Sequence, residues 1–441
     1  MNPAKPTQIR RRIVAVSMAM AFVLYLDRIC LAEIVKTASF RGDLALTPAQ
    51  IGRVLGAFFV AYAMFQVPAG WISDRFGARQ MLTGYIVLWS VSTALTGFAT
   101  SFPALLVIRL FCGAGEAGAY PTSGALLRRW IPLPARARAN SLVIVGGRIG
   151  GTLAPFLTAW LVVSLGQWRR VVWLDGALGL AIAGFYWHIV RNRPAEHPAC
   201  NEAEQALIGS PPPEPRQTLR ELGAVLRAIC ASRSLWSFAL FSFLMNFGWV
   251  FLITWLPSCL KGQYHVADVA GGRMVTVALG CGMFGQLAGG WLADKGVIRL
   301  GLKWGRIAVM SGAVALAGLA YLGCLGAGSA WGVVGWCSLV SFGVDMATPA
   351  IWAFAQDIGG RITGSVFGWG NMWGNLGATL IAVVAPLLVA SGSTIEAGQR
   401  LVFIVCSGSL FLSAVAALGL DASRPIAHGP ENAVDPAVRN I

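Results

Sequence analysis

Apolar runs recur along this chain from about residue 13 to about residue 420, and each is long enough to cross a bilayer. A helix needs about 20 such residues to span the hydrocarbon core. Breakers divide the runs into twelve expected spans: 13–36, 50–73, 79–99, 103–130, 138–165, 168–190, 235–260, 268–293, 304–326, 330–356, 362–390 and 397–420. Only 12% of the 441 residues are Asp, Glu, Lys or Arg, about half the share of a soluble protein. The chain therefore reads as an all-α, polytopic membrane protein.

The long polar segment "RNRPAEHPACNEAEQALIGSPPPEPRQ" falls between the sixth and seventh spans and reads as a linker, with prolines and mixed charges. It predicts an N-terminal six-helix bundle at 1–190, a linker at 191–233, a C-terminal bundle at 234–420 and a tail at 421–441. The net charge of +15 comes from basic residues spread over short loops. These read as topology determinants rather than a nucleic-acid surface, and by the positive-inside rule they place both termini and the linker in the cytoplasm. The apolar segment after "MNPAKPTQIRRR" exceeds a signal-peptide core and is expected to stay as the first helix. Nine cysteines include no C-x-x-C, and four scattered histidines form no metal set. No cofactor, metal or catalytic residue is expected.

The chain also repeats itself. Gln66, Gly70, Trp71 and Asp74 of "QVPAGWISDRFGARQ" recur as Gln286, Gly290, Trp291 and Asp294 of "QLAGGWLADKGVIRLG", always 220 residues on. Two six-helix halves in the same orientation are a transporter pattern.

At these residues the sequence resembles the major facilitator superfamily. Gly70, Asp74, Arg75, Gly77 and Arg79 match its cytoplasmic motif between helices two and three. In the second copy Asp294 and Lys295 match, and the later basic residues are displaced. A narrower resemblance, to the anion:cation symporter branch, is carried by "LYLDRICLAE", "IRLFCGAGEAGAYP", "GRIGGTLAP", "RPAEHPACNEAE", "FGWVFLITWLP" and "WAFAQDIGGRITGSVFGWGNMWGN". It implies a fold of twelve helices in two pseudo-symmetric bundles. It also implies proton-coupled import, by alternating access, of an organic anion such as a hexuronate, galactonate or glucarate. Protons, a small carboxylate and the bilayer are then the partners of a monomer in the cell membrane. Trp369 departs from the branch, which has small residues at that stretch.

Ionisable residues inside a span cost several kcal/mol unless paired or hydrated, and are functional candidates by default. At about 1.5 Å per residue, Asp27 lies roughly 21 Å up the first helix, and Arg109 roughly 9 Å down the fourth, at about the same level. Glu116, two turns on, faces the same side as Arg109. If the two helices are neighbours, as the family fold implies, then Asp27, Arg28, Arg109 and Glu116 can form one balanced cluster. A buried carboxyl can alternate between protonated and ionised forms near neutral pH, and an arginine fork matches a carboxylate. The resemblance assigns proton binding to Asp27 and Glu116 and carboxylate binding to Arg28. Arg109 is expected to partner Glu116 or Asp27. Static salt bridges fixing helix packing are the alternative for the whole set.

Tyr25, Tyr62, Asn246, Trp352 and Asn371 lie in segments matching the family's cavity helices and would complete a sugar-acid site. Arg148, in "VGGRIGG", is placed with them, although the glycines equally allow close packing. Gating is expected at Gly70, Asp74, Arg75, Arg79 and Asp294, whose charges would clasp helix ends. Asp345 is expected to join an inner gate through a basic loop residue, or to serve as a second protonation site. Asp175 reads as structural, neutralised by Arg169 or Arg170. The rivals are an anion exchanger or a carrier of aromatic or dicarboxylic acids, a membrane-embedded enzyme, and a non-transporting sensor.

Overall fold

A computed structural model describes residues 5–209 and 221–426. It is helical throughout those residues, in the order α1 (Ile9–Ile34), α2 (Ala38–Leu44), α3 (Pro48–Phe76), α4 (Ala78–Thr96), α5 (Phe102–Ala117), α6 (Ala119–Trp130), α7 (Arg136–Leu165) and α8 (Trp168–Ile189). There follow α9 (Glu202–Ile208), α10 (Glu221–Ala231), α11 (Arg233–Thr254), α12 (Leu256–Tyr264), α13 (Asp268–Cys324), α14 (Ala330–Gly359), α15 (Thr363–Ser391) and α16 (Ile395–Ala417). α13 holds two helices that meet at Gly301, whose φ of 76° and ψ of 171° are not helical.

Two expected spans are broken. Residues 103–130 divide at Gly118 into α5 and α6 because Pro121, in the first turn of α6, has no N–H for the carbonyl of Ala117. Pro257 separates α12 from α11 in the same way. The outward surface is what lipid requires. Val163 is 82% exposed, and Phe156 and Phe284 are each 69% exposed, an arrangement that is stable only against hydrocarbon.

Contacts group the chain into two compact units. Unit 1 comprises Met1–Leu133, Leu142–Leu222 and Arg361–Gly368; unit 2 comprises Pro134–Ser141, Gly223–Gly360 and Trp369–Ile441. Within unit 1 one end of the bundle is filled by Ile34, Phe40, Leu44, Leu105, Trp168 and Val171. The Phe40 and Trp168 rings meet edge-on at 4.9 Å.

The first part of the expected linker is tied down. Glu204, on α9, accepts bonds from the backbone N–H groups of Ile9 (2.9 Å) and Arg10 (3.0 Å), from the Thr7 hydroxyl (2.7 Å) and from the Arg10 guanidinium (3.0 Å). A carboxylate at the positive end of α1 satisfies amides the helix leaves open. Burial would raise the Glu204 pKa, but these bonds outweigh it and hold the carboxyl below its usual value. The linker's proline run and most of the expected tail lie outside the described residues.

Candidate functional site

Unit 1 brings the first-helix charges and those of α5 together. Arg28 donates from Nε to Glu116 Oε2 at 2.9 Å, and its Nη2 lies 2.7 Å from the same oxygen. Glu116 is fully buried, whereas the Arg28 side chain keeps 16% of its surface. Three aromatic rings surround the guanidinium, with centroids at 4.7 Å (Tyr62), 5.1 Å (Tyr25) and 5.3 Å (Phe58). Tyr120 lies 6.5 Å from Tyr25, ring to ring, and Arg148 acts electrostatically on Tyr120. A cation that is both paired and ringed by aromatic faces retains its charge at low hydration.

The other two charges are arranged differently. Arg109 lies over Phe58 at 4.7 Å and its Nη1 is 3.6 Å from the Cys112 sulfur. It makes no ion pair with Glu116 or Asp27, so the partner of Glu116 is Arg28. Asp27 is 2% exposed, and neither carboxyl oxygen has a hydrogen-bond partner among the described residues. The charges within its electrostatic reach are Asp175, Glu116 and Arg109. Arg169 instead binds Asp43 (2.9 Å), and Arg170 binds the carbonyl of Leu165 (3.0 Å). The expected neutralisation of Asp175 by these arginines is therefore corrected: they point elsewhere, and Asp175 lies beside the Cys30 thiol.

The repeated motif shows one device in both units. In unit 1, Asp74 accepts from the N–H groups of Gly364 and Ser365 and from the Ser365 hydroxyl, all at 2.8 Å, at the start of α15. In unit 2, Asp294 accepts from the N–H groups of Ala137 and Arg138, both at 3.0 Å, at the start of α7. Carboxylates are favoured at helix N-termini by the unpaired N–H groups and the helix dipole. Gly70 and Gly290, one turn before each aspartate, make the approach possible. A Cβ at Gly70 would strike the Gly364 carbonyl, and one at Gly290 would lie 2.8 Å from Ser141 Oγ. Arg79 binds the carbonyl of Trp187 near the end of α8 (2.8 and 3.0 Å), while Arg75 lies over Trp71 and Phe76 of its own helix.

Unit 2 also holds a network that sequence reasoning missed. Asp357 receives Arg136 Nη1 at 2.8 Å and Arg306 Nε at 2.9 Å. Arg306 reaches Asp294 at 3.4 Å, and Arg138 reaches the same carboxyl at 3.1 Å. Beside it Asn140 and Gln356 exchange side-chain bonds of 2.9 and 3.1 Å. The signal was present in "RARAN" and "AQDIGGR", but pairing them needs the fold. Asp345 accepts from Gln286 at 3.3 Å. Asn246 donates to the Ser242 carbonyl (2.9 Å) beside Gly374, the Asn371 carbonyl accepts from Asn375 (2.7 Å), and Trp352 is half-buried on α14. Trp369 is buried against Trp236 and Trp373, with its indole N–H on the Leu235 carbonyl.

Residues 17–382 match the model of the Major Facilitator Superfamily. The chain belongs to that superfamily. It is 29% identical to a probable sulfoacetate transporter of Cupriavidus necator, over 93% of each chain. It is 25% identical to a probable galactarate/D-glucarate transporter of Escherichia coli (strain K12), over 91% of each. These relatives agree with the anion:cation symporter branch. Among solved structures, a proton:xylose symporter, XylE, superposes with a TM-score of 0.71 at 14% identity, covering 92% of this chain and 95% of that one. That likeness carries the twelve-helix fold.

Proposed function

We propose that this superfamily member is a secondary active transporter that imports a small organic anion by proton symport, through alternating access. The substrate class is sugar acids such as a hexuronate, galactonate or glucarate. The observation that carries the reading is the Arg28–Glu116 pair, whose arginine keeps 16% of its side-chain surface and lies among tyrosine rings. An arriving carboxylate competes with Glu116 for the arginine fork. Glu116, once displaced, is a buried acid without its counter-charge, and taking up a proton removes the cost of holding it ionised. Charge in the site stays near constant, so anion and proton move together.

Tyr25 and Tyr62 border the Arg28 guanidinium, Arg148 acts on the neighbouring Tyr120, and these three are the proposed substrate contacts in unit 1; Asn246, Trp352 and Asn371 are those of unit 2. Arg109, beside Phe58, keeps a second positive charge near the acids. Asp74 and Asp294 are proposed as gating residues, each releasing a helix N-terminus during the cycle, with Asp345 beside Gln286. The protein is placed in the cell membrane as a monomer with both termini cytoplasmic.

Purified protein challenged with D-galactonate, D-glucarate and sulfoacetate tests substrate class through thermal stabilisation. Stabilisation by at least one of these is expected in the wild type. In proteoliposomes, that anion accumulates when the outside is made acidic; uptake that requires anion on both sides, whatever the pH gradient, identifies an exchanger instead.

A further inference from the structure

The Arg28–Glu116 exchange leaves two buried acids unused. Asp27 and Cys30 are three residues apart on α1 and share one face; Asp175 and Gly179 are four apart on α8 and share another. The two faces meet. The Cys30 thiol lies beside Asp175, and a Cβ at Gly179 would stand 3.7 Å from Asp27 Oδ2 and collide with Ser90 Oγ. Asp27 and Asp175 are 2% and 3% exposed, and three of their four carboxyl oxygens have no hydrogen-bond partner. The fully buried Ser90 hydroxyl and Trp89 indole N–H beside them are also unpartnered. Groups facing this pocket from the neighbouring helices are Trp89 and Ser90 on α4, Arg109, Cys112 and Glu116 on α5, and Thr158 on α7. Of these, only Arg109 is basic; it lies over Phe58 with Nη1 3.6 Å from the Cys112 sulfur, and it acts on Asp27 less strongly than Asp175 and Glu116 do.

We propose that Asp27 and Asp175 act as one carboxyl pair sharing a single proton, which makes Asp175 a further proton-coupling residue of this transporter. Two buried carboxylates within electrostatic reach of one another repel, and a single proton held by either relieves both. The unpartnered Ser90 and Trp89 donors suit whichever oxygen is ionised. The proposal rests on the symport reading, in which the pair stores the proton that Glu116 exchanges when the anion binds Arg28.

The test is infrared absorption of protonated carboxyls in the purified full chain, titrated between roughly pH 5 and 9, with Glu116→Gln as the parent. Asp27→Asn, Asp175→Asn and the double variant are compared in that background. If the proton is shared, the losses in the two singles do not add up to the loss in the double, because both singles report on the same proton. Losses in the two singles that add up to the loss in the double identify independent acids and overturn the proposal. Should Asp175→Asn not purify, Asp175→Ser takes its place. Failure of the symport reading shows separately, as full pH-driven accumulation by Glu116→Gln whatever this band does.

Discussion

Two groups of buried charge, one in each unit, are built to opposite standards. In unit 2, Asp294 and Asp357 hold Arg136, Arg138 and Arg306 together with two backbone amides. In unit 1, a single pair, Arg28 with Glu116, sits near Asp27 and Asp175, whose oxygens are largely unpartnered. A satisfied network is costly to open and fixes a conformation; a half-satisfied one is costly to keep ionised and so is ready to exchange protons. In the proposed function, the difference separates charges that hold helices from charges that work on a substrate.

The most damaging change should be Arg306→Ala. It removes a fully buried cation from between two carboxylates, and breaking such a network costs about 3–5 kcal/mol. Thermal unfolding should show a large fall in midpoint. An unchanged midpoint would mean that the unit 2 network does not hold the fold, and the contrast with unit 1 would disappear.

Arg28→Ala comes next. It should leave the unfolding midpoint closer to wild type while weakening anion binding by about 2–5 kcal/mol, the range for truncating one member of a hydrogen-bonded charge pair. Thermal stabilisation by the best anion of the panel reads this directly, and unchanged affinity would take Arg28 out of the site.

A smaller effect compares the two motif copies. Asp74→Asn removes a charge whose partners are two amides and a hydroxyl, about 1 kcal/mol of helix-terminus interaction. Asp294→Asn removes that and the ion pairs with Arg138 and Arg306, and should destabilise more. Equal losses in denaturation of the two variants would show that the arginines around Asp294 add nothing.

The smallest effect is in the docked segment. Because the Glu204 carboxyl titrates below its usual value, its contribution is present above the unfolded-state value and is lost as pH falls through the lower folded one. Hydrogen-exchange protection of the Ile9 and Arg10 amides, taken relative to the intrinsic rate at each pH, should be high at neutral pH and fall towards about pH 3. Glu204→Gln should be unprotected at both, and wild-type protection that persists in strong acid would remove Glu204 as the anchor.

Much of this was readable beforehand. Periodic apolar runs marked the spans, and the 220-residue echo of Gly70 and Asp74 in Gly290 and Asp294 marked one device built twice. Intramembrane charges drew attention to Asp27, Arg28, Arg109 and Glu116. Sequence could not assign the pairs within that set. Depth estimates put Arg28 and Arg109 at one level, and only the fold, which brings the Arg28 side chain of α1 to Glu116 of α5, decides that Arg28 takes Glu116. The reading of Asp175 failed for a simpler reason. Arg169 and Arg170 are six and five residues away, which on a helix puts them on other faces. Arg136 and Asp357 lie 221 residues apart, beyond the reach of any local pattern.

The central claim is that displacing Glu116 from Arg28 couples the anion to the proton. Glu116→Gln, reconstituted in liposomes, tests it most directly, because glutamine keeps the shape of the side chain and cannot take up the proton. The account predicts that the variant still exchanges labelled anion across the membrane but no longer accumulates it when the outside is acidified. Full pH-driven accumulation by that variant would contradict it.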